Sequence, residues 1–90
     1  MSFLTYDEIK NSIILDLSKD EEEILLFKSY SKENLINLHH SFGQWIRNNY
    51  GLWSEGNPLT IGYGNDETKH PDYISQKLIE DVWSHLVENK

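Results

Sequence analysis

Arg47 is the single formal charge in the stretch from residue 34 to residue 54, NLINLHHSFGQWIRNNYGLWS. Around it stand His39, His40, Phe42, Trp45, Tyr50 and Trp53, with the amides Gln44, Asn48 and Asn49. A guanidinium presents five N–H donors in a fixed planar fork that matches a phosphate or a carboxylate. Aromatic rings can stack a planar group, and side-chain amides can read its polar edge. A merely solvated helix needs none of these, so the segment is expected to be either a buried polar network or a ligand site.

Other chemistries find little material. The chain has no cysteine, which removes thiolate nucleophiles and thiolate metal sites. His39 and His40 are adjacent and would project about 100° apart on a helix, too far for joint metal ligation, and no HExxH spacing occurs. Neither a metal nor a cofactor is expected. There is no GxSxG elbow, and Gly62-Tyr63-Gly64 lacks the strand–GxGxxG–helix context of a dinucleotide site. A Ser41–His40–Asp72 grouping fails because neighbours on one helix make poor acid–base partners. A small hydrolase working through His70 and Asp72 is therefore the least favoured class, and a non-enzymatic protein is expected.

The elements that must position Arg47 belong to one small domain, residues 1–90. Three Trp, five Tyr and three Phe supply much of its core, since a large aromatic buries about 150–250 Å². The net charge of −7 argues against broad nucleic-acid binding, which needs a basic face to displace counterions. It allows a solvated acidic surface, a basic protein partner or a nucleic-acid mimic. No early apolar run resembles a signal peptide and none nears the ~20 residues of a membrane span, so a soluble cytoplasmic protein is expected. The aromatic content leaves a homodimer open.

Thr5-Tyr6-Asp7-Glu8 has capping-box spacing ahead of Ile9, Ile13 and Leu17. Ser18-Lys19-Asp20-Glu21 repeats it ahead of Ile24, Leu25 and Phe27, which places Asp20, Glu21, Glu22 and Glu23 in a first turn where the helix dipole favours them. Ser31 is the expected cap of a central helix over 32–50, ended by a left-handed Gly51. Residues 54–69 read as a long irregular loop, with Leu59, Ile61 and Tyr63 alternating as a short extended piece. A last helix starts at His70-Pro71-Asp72 and carries the stripe Ile74, Leu78, Val82 and Leu86, widened by Ile79 and Trp83. The fold class is all-α, a bundle of about four helices.

If the central helix is continuous, Leu35, Leu38, Phe42, Trp45 and Asn49 form its core stripe. Ile36, His40, Gly43, Arg47 and Tyr50 form the opposite face. Gly43 costs about 1 kcal/mol in a helix interior relative to Ala. It would floor a groove with Arg47 as the positive wall and Tyr50 at its end, or else admit the final helix or the loop while Arg47 ties down loop carbonyls or Asp72. Asn49, projecting into the core stripe, is expected to brace the turn 51–53 or the loop near Asn57, with Trp53 packed over the helix end.

The run from Leu38 to Trp53 resembles an uncharacterised bacterial domain family with the pattern LHxxxGxxIRNxxGLW, an N-x-L step and then HPDDxS. Here the later steps are Asn57-Pro58-Leu59 and His70-Pro71-Asp72-Tyr73-Ile74-Ser75, with Tyr73 replacing the family's second Asp. The resemblance covers roughly residues 31–87. It implies a small helical domain that draws Arg47, Asn48, Trp53, Asn57 and Asp72 together, and it brings no activity. The first expectation is thus capture of a nucleotide-like or other small anionic ligand by His40, Gly43, Arg47, Asn48, Tyr50, Trp53, Asn57 and Asp72, for instance to sequester a signal in phage–bacterium conflict. The alternative is a protein inhibitor, or an immunity or anti-defence protein, that sets Asp20, Glu21, Glu22 and Glu23 against a basic partner.

Overall fold

The structure is a computed structural model and describes residues 3–54, 56–62 and 64–88. Among these residues it holds four α-helices, α1 (Tyr6–Ser18), α2 (Glu21–Lys28), α3 (Phe42–Asn49) and α4 (Pro71–Glu88), and no strand. Two 3-10 segments, Lys32–Leu38 and Glu67–Lys69, complete the helical content. None of the described helices is long and apolar enough to cross a membrane.

Helix α1 starts on a full capping box: the Thr5 hydroxyl accepts from the Glu8 amide at 3.2 Å, and the Thr5 amide donates to Glu8 Oε1 at 2.9 Å. The cap of α2 is Asp20 rather than Ser18. Asp20 Oδ1 accepts the amides of Glu22 and Glu23 at 3.0 and 3.4 Å, while the Ser18 hydroxyl donates back to the Ile14 carbonyl at 2.7 Å. A carboxylate takes two orphan amides and complements the dipole, so it outcompetes a hydroxyl that is still inside the preceding helix. Along α2 only Phe27 is buried, and Leu25 and Leu26 are left facing outward.

The expected central helix over 32–50 is broken. Residues 32–38 wind as a 3-10 segment, 39–41 turn, and α3 begins at Phe42. Asn34, Asn37, His39, His40 and Ser41 are all mediocre helix formers, and Gly43 weakens the next turn, so propensity does not hold one long helix against tertiary packing. The 3-10 winding aligns residues three apart, and Leu35 is fully buried with Leu38 partly packed on the same core. Ser31 precedes this segment without a side-chain capping bond.

Helix α3 ends in a Schellman motif: Gly51 has φ +64° and the Leu52 amide donates to the Arg47 carbonyl at 3.0 Å. Leu52 then enters the core. Helix α4 is the axle, burying Ile74, Leu78, Ile79, Val82 and Leu86 and touching all three other helices. Pro71 opens it, and His70 Nδ1 accepts the Asp72 amide at 3.0 Å, a cap made by an imidazole. The Trp83 indole N–H donates to the Tyr30 carbonyl at 2.9 Å, and the Tyr6 hydroxyl donates to the Asp81 carboxylate. Burial, that hydrogen bond and the nearby carboxylates hold the Tyr6 hydroxyl well above its ordinary titration range.

Candidate functional site

Arg47 is buried, 7% exposed, and its guanidinium faces inward. One terminal nitrogen donates to Ser75 Oγ at 2.9 Å and the other to the His39 carbonyl at 3.4 Å, while Nε lies 3.5 Å from Asp72 Oδ1. Ser75 Oγ in turn donates to the Asp72 carbonyl at 3.1 Å. The side chain therefore ties α3 to the first turn of α4 and to the break that precedes α3. Gly43 is the seat for this fork: a Cβ there would stand 3.1 Å from the guanidinium nitrogen. A buried charge needs a partner and hydrogen bonds to be tolerable, and here an ion pair and two hydrogen bonds meet it.

Of the expected site residues, the fold brings together Gly43, Arg47 and Asp72. Trp53 lies one step away, its ring edge-on to His70 at 5.6 Å between centroids. Asn57 is buried but braces backbone: Nδ2 donates to the carbonyls of Gly51 and Tyr50 at 3.0 and 3.4 Å, and Oδ1 accepts from the Leu59 amide at 3.0 Å. The tyrosine hydroxyl of Tyr50 donates to Ser12 Oγ at 3.0 Å, joining α3 to α1. His40 and Asn48 are exposed. Because the helix phase resets at 39–41, His40 does not share a face with Arg47, and His39 takes its place, with Nε2 3.8 Å from Asp72 Oδ2.

Asn49, expected in the core stripe, is exposed and donates to the Trp45 carbonyl at 2.9 Å. The brace expected of it is Asn57. Around Asn57, residues 58–62 form turns rather than the expected extended piece, and Tyr63, its last member, lies outside the described residues. Sequence reading missed His39 and Ser75. The i, i+3 spacing of Asp72 and Ser75 on one helix was a signal for Ser75. The role of the His39 carbonyl depends on the break and had no such signal.

A separate feature lies on the other side of α3. A groove of about 410 Å³ runs between α1, α2 and α3. Phe27 and Phe42 meet edge to face at 5.5 Å, and Trp45 stacks on Phe42 at 5.7 Å with ring planes 29° apart. These rings line the groove with Tyr30 and Leu26, and its polar rim is Asp16 and Glu23. Asp20, Glu21 and Glu22 are exposed nearby in sequence at the start of α2, so Glu23 is the member of the expected acidic set that reaches the groove. A second cavity of about 330 Å³ lies against Leu52, Trp53 and the loop residues Thr60 and Ile61, and Arg47 and Asp72 do not line it. No group of three or more metal-ligating side chains occurs among the described residues.

Residues 9–86 match the model of a domain of unknown function, DUF6794. The chain belongs to the DUF6794 family. No curated protein and no solved structure matches it. The DUF6794 match takes in α2, α3, nearly all of α4 and the Arg47 junction, and both walls of the groove fall inside it.

Proposed function

We infer that this DUF6794 chain is a non-enzymatic binding module that docks a basic protein partner on the face formed by α1, α2 and α3, in the manner of an inhibitor or immunity protein. The observation that carries this reading is the aromatic groove with Asp16 and Glu23 at its rim, next to the exposed acidic turn Asp20–Glu22, on a chain of net charge −7. Carboxylates around an apolar centre steer a cationic partner into contact and fix its register, while the apolar centre supplies affinity.

Affinity purification from the source cells at low and high salt tests it. One basic partner should bind the wild-type chain, weaken as salt rises, and be lost when Asp16, Asp20, Glu21, Glu22 and Glu23 are changed to Asn and Gln. Equal recovery of that partner by the neutralised chain would refute the reading.

An anionic ligand on Arg47 is the second reading. What favours it is Asp72, whose half-exposed carboxylate is the one partner of Arg47 that a phosphate could displace, with Trp53 and His70 at hand to flank a ring. Against it, Ser75 and the His39 carbonyl already occupy the terminal nitrogens. Native mass spectrometry of freshly isolated protein separates the two: an anionic small-molecule adduct that Trp53→Ala weakens, Asp72→Asn leaves in place or strengthens, and Glu23→Gln spares would favour the second reading.

A further inference from the structure

We propose that the occupant of the groove is an amphipathic α-helix of a basic partner, seating apolar residues one turn apart in the groove and placing Lys or Arg over Asp16 and Glu23. This rests on the reading of the α1–α2–α3 face as the docking face and adds the form of the bound segment.

The groove walls are helices, and the lining is side chains: of its ten residues, eight are apolar or aromatic and the two polar ones are the carboxylates Asp16 and Glu23. No sheet edge exists among the described residues to pair with an extended peptide. A segment laid here must satisfy its own backbone N–H and C=O groups, and a helix does so internally. A cavity near 410 Å³ takes a few side chains and not a folded surface, which fits anchors at i and i+3 or i+4. Leu26, 65% exposed, and Trp45, 39% exposed, form lips that such a helix would cover. The rim chooses the sign of the flanking charge. Lys and Arg beside the anchors meet Asp16 and Glu23, whereas Asp or Glu would be repelled. The same rule disfavours a second copy of this chain, which also carries −7.

The test is selection of random displayed peptides, about 15 residues long to allow four helical turns, on the full chain and in parallel on Leu26→Glu. Leu26 is exposed, so this variant keeps the core, and circular dichroism with urea unfolding verifies that. The expected result is enrichment of sequences with apolar residues at i, i+3 or i+4 and i+7 and net positive charge. These should bind Leu26→Glu at least about tenfold more weakly, the loss typical of a buried anchor. Basic winners without the apolar spacing, bound equally by Leu26→Glu but lost on Asp16→Asn with Glu23→Gln, would overturn the helix while leaving the acidic docking face standing. Winners that ignore both sets of changes, or no enrichment over the Leu26→Glu control, would overturn both. A dimer in sedimentation that Leu26→Glu dissociates would assign the groove to a second copy instead.

Discussion

The Arg47 junction and the α1–α2–α3 groove sit on opposite sides of α3 and are built in opposite ways. At the junction a cation is buried at 7% exposure and meets a hydroxyl, a carbonyl and a carboxylate, each within 3.5 Å. In the groove the charges stand at the rim, the rings lie inside, and Leu26 and Trp45 remain open to solvent. The junction holds the densest cluster of distinctive residue types in the sequence, yet each nitrogen of its guanidinium already has a partner within the fold. The groove takes two of its walls from α1 and α2, whose sequence signals are capping-box spacings and an acidic first turn, and it leaves apolar surface exposed at Leu26 and Trp45. Chemical distinctiveness in a small domain can thus mark the joint that holds the fold, while the face we propose for docking is assembled largely from amphipathic helices with ordinary capping signals.

The comparison breaks first at Arg47. Replacing it with Ala leaves Ser75, 0% exposed, and the His39 carbonyl without their donor. The expected loss is about 2–4 kcal/mol in urea unfolding, shifted below the ~3–5 kcal/mol usual for a broken buried pair because Asp72 is half-exposed. Asn57→Ala comes next. It strips the carbonyls of Tyr50 and Gly51 and the Leu59 amide of a buried partner, for a loss of about 1–3 kcal/mol by the same assay. Gly43→Ala is the smallest and most discriminating. Helix propensity favours Ala by about 1 kcal/mol, but the new methyl meets the pinned guanidinium, so the net change should be near zero. In an Arg47→Met background the clash is with a pliable side chain, and Gly43→Ala should then stabilise by about 1 kcal/mol.

Much of the frame was legible in the residues. The Thr5–Glu8 box, the left-handed Gly51, Pro71 as the first residue of α4 and the stripe Ile74–Leu78–Val82–Leu86 are each set by local chemistry and appear where spacing placed them. The break at 39–41 was not legible, because it follows from the gain in seating Leu35 in the core and turning the His39 carbonyl toward Arg47, both of which depend on α4. That one reset of helical phase moved His40 off the Arg47 face and turned Asn49 out to solvent. It also brought Phe42 and Trp45 against Phe27 and Tyr30, so a continuous helix, as read from the sequence, hid the groove as well. At the junction, the sequence offered two roles for Arg47, groove wall or tie to Asp72, and could not weigh them without the position of Ser75.

Proton exchange at the Arg47 Nε–H, followed by ¹H–¹⁵N NMR on the free protein, most directly tests whether this guanidinium belongs to the fold. Burial beside Asp72, with both terminal nitrogens engaged, should give a resolved Nε–H signal that exchanges far more slowly than that of a solvent-exposed arginine. An Nε–H that exchanges at the exposed rate would mean the fork is open to solvent, and Arg47 would have to be read as a binding group after all.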